Sequence, residues 1–405
     1  MLAFWAALLI PAFGPHNGVA PYTPPDLNYW GQRLLLVWSH WDGEWFLHIA
    51  QNGYLRNVPS SPFFPLFPLL IRLVGLTLGG NYLLAGVIVG TLTGVSAFVL
   101  MYELVKFEYG EGLAQRATLY LAAFPASFFL TAIYSEALFL ALALGAFLAA
   151  RRYSNWYVAG LMVALASITR NLGILMLIPL GWEWLRQHRG NFLREEETPA
   201  TGKSSLLHRL THWKIDIQWE KLQPVATLAF VIFPMGAVSG WLAFNWLMLG
   251  DPLSFMHVQD LPFWNRHSAL PTGTLAKAFS LMFNPNDRVA SNPPGFSENQ
   301  NWINLVCWVF AAVLFIGGCV MSWQKKMAFS YILFFAITLI LPLFSPSGNQ
   351  PLMSFPRFTL VIFPAFMVLA KAGQRWKFVH YAYLVNALML LALLFARFVN
   401  WYWVA

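Results

Sequence analysis

Apolar runs long enough to enter a lipid bilayer recur along this chain, and no other feature narrows its fold as much. A bilayer core offers no water to backbone polar groups, so a spanning segment must satisfy its own hydrogen bonds, which a helix of about 20 residues does. On that rule the runs lie at roughly 1–13, 81–105, 113–131, 133–150, 155–169, 172–185, 224–248, 302–322, 327–344, 357–370 and 379–399. They predict an all-α polytopic membrane protein of about eleven transmembrane helices, one domain over residues 1–405. Charged residues make up only 10% of the chain, against roughly 25% in soluble domains. The start, "MLAFWAALLIPAFG", lacks a basic n-region and an A-x-A-like cleavage site, so it reads as an anchor rather than a signal peptide.

The run "PFFPLFPLLIRLVGLTLG" is different, because prolines at 59, 62, 65 and 68 each remove a backbone donor. It is predicted to be an interfacial or re-entrant element. With that run left uncrossed, the basic residues sort by side. Arg186, Arg189, Arg194, Lys203, Arg209, Lys214 and Lys221 crowd the loop 186–223, which is therefore cytoplasmic. Stepping span by span puts Lys106, Arg116, Arg151, Arg152, Lys325, Lys326, Lys371, Arg375 and Lys377 on the same side. Residues 14–80 then form a large outer loop with interfacial helices, and 249–301 a second outer loop. The formal charge of +8 is explained by this topology and does not indicate a nucleic-acid partner. Cys307 and Cys319 fall in one predicted helix, about 18 Å apart, too far to bridge.

Polar groups concentrate in the outer stretch "SHWDGEWFLHIAQNGY", residues 39–54. Trp38, Trp41, Trp45 and Ile49 recur at helical spacing, which predicts an amphipathic helix lying flat at the membrane surface, stopped by Asn52-Gly53. Ser39 and Asp42 match a capping box, so Asp42 reads as a helix cap, as a general base held ionised by the helix dipole, or as both. Glu44 lies roughly 200° around the helix from Asp42 and cannot act with it as a same-face pair. The spacing of His40, Asp42, Glu44 and His48 matches no standard zinc pattern, so no metal or other cofactor is expected. His48 alone reads most simply as a satisfied interfacial histidine.

Three further outer helix ends carry ionisable groups at membrane depth. "TAIYSEALFL" puts Glu136 in the first turn of a span, "ASITRNLGIL" puts Arg170 in a short outer turn, and "SFPRFTLVIFP" puts Arg357 at the end of another span. Each arginine has an alternative role in snorkelling to the interface, and Glu136 one as a helix-start acid. Their coincidence predicts a functional cluster. An acid base with two arginines suits a substrate bearing both a hydroxyl and a lipid phosphate.

At this point the chain resembles the glycosylphosphatidylinositol mannosyltransferase II (PIG-V-like) family of the glycosyltransferase-C superfamily. The resemblance rests on "HWDGEWFLHIAQNGY", "FFPLFPLLIRL", "AIYSEALF", "ASITRNLG", "GDPLSFMHVQ" and "PRFTLVIFPAF", in that order. It implies a glycosyltransferase-C type helix bundle, a polyprenyl-phosphate-sugar donor, inverting transfer of mannose to a glycan or glycolipid acceptor, and Asp42 as the catalytic acid residue. It also implies that Arg170 and Arg357 face the donor's phosphate. Trp41, Trp45 and Trp264 are candidates to stack on sugar faces, with interfacial anchoring as the alternative, and Glu44, His48 and Glu136 complete the substrate-binding set. The polyprenyl phosphate leaves as a stable anion, so the transfer has no need of a metal. The resemblance points to a bacterial relative in the inner membrane with its site outward, or to the endoplasmic reticulum for a eukaryotic chain. Rival readings are transfer of glucose or arabinose by the same machinery, a non-catalytic carrier of polyprenyl-linked sugars, and a non-catalytic assembly partner.

Overall fold

The computed structural model describes residue 22 and residues 27–192, 224–283, 299–348 and 350–404. The expected span 1–13, residues 193–223 of the inner loop, residues 284–298 of the second outer loop, and residues 14–21 and 23–26 of the first lie outside that set. Among the described residues all regular structure is helical apart from one isolated antiparallel bridge, Arg266 to Ser347. In chain order the helices are α1 (Tyr29–Leu34), α2 (Asp42–Asn52), α3 (Leu66–Thr77), α4 (Tyr82–Tyr109), α5 (Glu111–Ala123), α6 (Glu136–Arg151), α7 (Trp156–Ser167) and α8 (Leu177–Phe192). They continue as α9 (Pro224–Leu249), α10 (Pro271–Phe283), α11 (Asn299–Trp323), α12 (Phe329–Ile340), α13 (Phe355–Val361), α14 (Phe363–Arg375) and α15 (Lys377–Val399).

Four of the described helices, α4, α9, α11 and α15, are long and apolar enough to cross a membrane. The pair α13–α14, bent by 75°, makes a fifth if it is one span. The other apolar runs are shorter than the sequence reading allowed, and proline accounts for several of the breaks. A residue preceding proline is driven out of the helical region. Accordingly α5 stops at Phe124, before Pro125, where ψ turns to 138°. At Pro342 and Pro364 the preceding residues stay helical, and each proline instead sits in the first turn of the element that follows the break, where its missing N–H leaves no bond unmade. α6 is short for another reason. Every residue from Glu136 to Ala150 except Gly145 is buried, so neighbouring helices rather than lipid surround it.

Two close approaches position the chain for the site. A Cβ on Gly90 would sit 2.6 Å from the Ala132 carbonyl oxygen, and one on Gly94 2.1 Å from that of Leu130. Only glycine lets the segment 130–133 lie directly on α4, and that segment leads into Tyr134 and Glu136. A Cβ on Gly173 would fall 2.2 Å from Ala166 C. Its absence lets the one-turn helix Leu172–Leu175 fold back on the end of α7, so that Arg170 projects from a tight turn.

Candidate active site

The chain enters α2 in a way the spacing does not predict. Ser39 ends a 3-10 turn, Leu36–Ser39, and its Oγ donates to Leu36 O at 2.8 Å, so the expected capping box does not form. The residue ahead of the helix is Trp41, with φ 62° and ψ −116° and no side-chain cap. Such a backbone costs a non-glycine residue about 1–3 kcal/mol and persists only when its surroundings hold it. They do so here. Tyr134 Oη donates to His40 O at 2.9 Å and accepts from Asp42 N at 3.2 Å, and Ile133 N donates to Trp38 O at 2.9 Å. His40 Nδ1 donates to Phe398 O at 3.0 Å, while its ring stacks on Trp401 with centroids 3.8 Å apart. Trp41 meets Trp403 edge-on at 5.2 Å.

This kink also breaks the tryptophan stripe, since Trp38 belongs to the 3-10 turn and only Trp45 lies within α2. Gly43 through Ala50 are all buried. α2 is therefore enclosed by protein and is not the surface-lying amphipathic helix expected. An aromatic stripe covered by other rings has the same periodicity as one covered by lipid headgroups.

The acids and arginines from four helix ends converge. Arg357 Nη1 pairs with Asp42 Oδ2 at 2.6 Å, and Arg170 Nη1 with Glu136 Oε1 at 2.7 Å. Arg357 Nε lies 3.6 Å from the same Glu136 oxygen, which joins the two pairs into one cluster. Arg357 Nη2 donates to Ser354 Oγ at 3.1 Å. Ser354 itself has φ 71°, so strained backbone stands beside both Asp42 and Arg357. The Arg357 guanidinium is walled by Tyr134, Phe129 and Trp403 at 5.2, 5.6 and 5.7 Å. Side-chain exposure differs between the two acids, 16% for Asp42 against 2% for Glu136. Only Asp42 is open enough to meet a second molecule. Glu136 Oε2 and Arg357 Nε are buried without a hydrogen-bond partner.

The remaining sequence candidates lie apart from this cluster. Glu44, one turn-face away, is buried at 3%, and its charge together with burial pushes the Tyr22 hydroxyl up to about 12, burial contributing more. His48 is buried on the same helix, and Asn52 Nδ2 donates to its Nδ1 at 3.1 Å. Trp45 stacks on Phe63 at 5.7 Å and lies 5.6 Å from Trp264, whose indole nitrogen donates to Pro59 O at 3.1 Å. Among the described residues no three His, Cys, Asp or Glu side chains converge as a metal would require.

Three participants escaped the sequence reading. Tyr134 stands two residues before Glu136 in the same motif, and its hydroxyl fixes the Asp42 turn. Trp403 caps Arg357. Arg266, from the second outer loop, is half-buried near enough to Arg357 and Asp42 for their charges to act on it. Burial first, and then the Arg357 charge, push its guanidinium down to about 10, with Asp42 opposing.

The fold and site define a helical chain with helices of membrane length and an acid–arginine cluster at the ends of its shorter helices. Residues 17–192 match the family described as Mannosyltransferase (PIG-V). That range holds Asp42, Glu136 and Arg170 and excludes Arg266 and Arg357. The chain is 37% identical over 194 residues to the GPI alpha-1,6-mannosyltransferase 2 of Cricetulus griseus, a match covering 44% of this chain and 38% of the relative. The Mus musculus and Homo sapiens proteins of the same name are 38% and 31% identical, with 38% and 41% of their lengths covered. The chain thus spans about two fifths of the length of these curated relatives. Among solved structures, the Archaeoglobus fulgidus oligosaccharyltransferase in its apo form aligns over 100% of this chain and 56% of its own, with 12% identity and a TM-score of 0.47. ArnT from Cupriavidus metallidurans aligns over 91% and 75%, with 12% identity and a TM-score of 0.28.

Proposed function

We propose that this chain is an integral-membrane, inverting glycosyltransferase that moves a mannosyl residue from a polyprenyl-phosphate donor to a lipid-linked or glycan acceptor on the non-cytoplasmic face. The observation that carries the reading is the Asp42–Arg357–Glu136–Arg170 cluster, assembled from helix ends that the charge topology puts outside. Asp42 is the base. With Oδ2 engaged by Arg357, a carboxylate still has a second oxygen for a proton. The acceptor hydroxyl gives its proton to Asp42 as its oxygen bonds to the anomeric carbon. The bond from that carbon to the phosphate oxygen breaks with its electron pair staying on the phosphate. Attack from the side opposite the leaving group inverts the anomeric centre, through an oxocarbenium-like transition state. Arg357 and Arg170 face the donor phosphate, and guanidiniums already fixed by neighbouring carboxylates lose little freedom on doing so. Glu136, too enclosed to meet an acceptor, keeps the two arginines together.

The test is to incubate the purified protein with labelled polyprenyl-phosphate mannose and a native lipid extract. A new mannosylated product with inverted anomeric configuration supports the reading. Product formed only from polyprenyl-phosphate glucose or arabinose would move the assignment to another sugar, and movement of intact donor without transfer would favour a carrier.

A further inference from the structure

A cavity of about 400 Å³ lies between α3, α9 and the end of α2, within the size range of ligand sites, about 300–1,000 Å³. Its walls are mainly apolar, and Arg72 is the one charged residue among them. The sequence explains the space. On one face of α9, at helical spacing, two small residues, Ala237 and Gly240, are followed by two aromatic ones, Trp241 and Phe244. A Cβ placed on Gly240 meets no atom within 4 Å, so that side of the groove is open. Tyr54 packs on Trp241 and Phe244 with ring centroids 5.2 and 5.5 Å apart, and Arg56 Nε donates to Met248 O at 2.9 Å. These contacts tie the chain leaving α2 to the C-terminal half of α9. The groove also takes in Ile49 of α2 and Ile168, two residues ahead of Arg170. Its occupant therefore lies against the elements that carry Asp42 and Arg170.

The flanks of the groove are apolar and open, with Leu69 and Leu73 on α3 and Ile232 and Met235 on α9 each about half exposed. In a membrane protein such a surface faces lipid chains. Arg72 is the exception on it. Its Nη1 donates to Ala50 O at 3.1 Å and to Gln51 O at 3.4 Å, which fixes the guanidinium at the C-terminal end of α2, where a cation is favoured. Nε and Nη2 have no partner among the described residues, and no carboxylate there lies within ion-pairing distance. A cation fixed on a surface that faces lipid calls for an anion from the lipid itself. We propose that the groove seats an acyl chain of an anionic phospholipid whose phosphate pairs with Arg72. This lipid is not the sugar donor. Ala50 stands eight residues beyond Asp42, about 12 Å along α2. In the transfer described above, the donor's phosphate oxygen is bonded to the carbon that the Asp42-bound hydroxyl attacks, so a phosphate at Arg72 belongs to a second lipid. That exclusion rests on Asp42 as the base; the groove and its cation do not.

The experiment measures binding of short-chain phosphatidylglycerol, phosphatidylcholine and farnesyl phosphate to the purified full chain in detergent, with melting temperatures recorded. Gly240→Phe puts a ring into the open side of the groove. Arg72→Gln removes the charge and keeps a donor for Ala50 O, while Arg72→Lys keeps the charge. Wild type is expected to prefer phosphatidylglycerol to phosphatidylcholine by about tenfold, the effect of one charge-assisted hydrogen bond. Arg72→Gln should lose that preference and Arg72→Lys should keep most of it. Gly240→Phe should weaken both phospholipids by about tenfold or more, as loss of a few buried methylenes does. Farnesyl phosphate binding should follow none of the three substitutions. Equal phosphatidylglycerol affinity in wild type and a thermally stable Gly240→Phe overturns the proposal. The Arg72 variants decide the matter even if Gly240→Phe melts early, because an equal preference in wild type and Arg72→Gln also overturns it. Wild type that binds neither phospholipid, with a lowered melting temperature in Gly240→Phe, overturns it too, since another part of the chain would then fill the groove. Weakening of farnesyl phosphate in place of phosphatidylglycerol would assign the groove to a prenyl lipid and overturn the phospholipid. The expected phosphatidylglycerol results together with no turnover of polyprenyl-phosphate mannose would keep the lipid site and remove the transfer reading.

Discussion

Helix α6 carries an ion cluster at each end, with Glu136 at its start and Arg151 at its finish, about 22 Å apart along the axis. The Arg151 cluster is complete. Arg151 makes a fork to Glu108 at 2.6 and 3.0 Å and a third contact to Glu183 at 2.6 Å. Glu183, fully buried, also accepts from Arg186 Nε at 2.9 Å, Ser330 at 3.2 Å and Gln187 at 3.3 Å. Tyr331 donates to Glu108 at 2.9 Å. None of these carboxylate oxygens or Arg151 nitrogens is left buried without a partner. The Asp42 cluster is built from the same residue types and is incomplete: Glu136 Oε2 and Arg357 Nε are buried without a hydrogen-bond partner, and Asp42 is partly open.

The difference separates two uses of buried charge. Once ions have been taken out of water, full pairing is the arrangement that costs least, and a cluster that reaches it ties helices together. Here it joins α4, α6, α8 and the start of α12. A cluster that stops short retains unused hydrogen-bonding capacity, and strained backbone at Trp41 and Ser354 stands beside it. Unfinished pairing is what a ligand can finish.

Substitutions can break this comparison, and the largest expected effect is at Arg357. Arg357→Ala leaves two carboxylates without their shared cation, which typically costs about 3–5 kcal/mol for a buried pair, and it also removes a donor to the phosphate. Melting temperature should fall, and turnover per folded molecule should fall by about a hundredfold or more. Turnover that survives in the folded fraction would mean that the cluster only holds helices. Arg151→Ala should cost a similar 3–5 kcal/mol or so by the same argument, yet leave turnover per folded molecule near that of wild type; a selective loss of activity would merge the two clusters into one functional unit. The smallest effect belongs to Arg152, whose pair with Glu103 is 38% exposed on both sides. Arg152→Ala should shift stability by no more than about 1 kcal/mol, as exposed pairs do, measured by thermal unfolding in detergent.

Much of the Asp42 cluster was legible in the sequence because charge at the end of an apolar run is expensive and therefore informative. Glu136, Arg170 and Arg357 stand out on that ground and Asp42 by the polar density of the stretch 39–54, and the structure brings all four together. Their pairing was not legible, since nothing in the spacing of residues 42 and 357 says that one chooses the other. The Arg151 cluster was hidden for the opposite reason. Basic residues beside cytoplasmic loops are already explained by insertion topology, so nothing prompts a search for Glu108 or Glu183. Arg266 lies in a polar loop, where charge is cheap and carries no signal. Helix lengths were overestimated because hydropathy registers burial without distinguishing lipid from protein, and α6 is covered by protein.

The central claim is that Asp42, and not its neighbour Glu44, takes the acceptor's proton. Both sit in the first turn of α2, but Asp42 faces Arg357 and partly open space while Glu44 is enclosed near Tyr22. The direct measurement is turnover of labelled polyprenyl-phosphate mannose by Asp42→Asn and Glu44→Gln, with donor binding and melting temperature recorded for each. Asp42→Asn keeps the side-chain size and removes the base, so it should fold, bind donor and turn over about a hundred- to ten-thousandfold more slowly, while Glu44→Gln retains substantial activity. Wild-type turnover by a folded Asp42→Asn would contradict the account and leave Asp42 as nothing more than the anchor of Arg357.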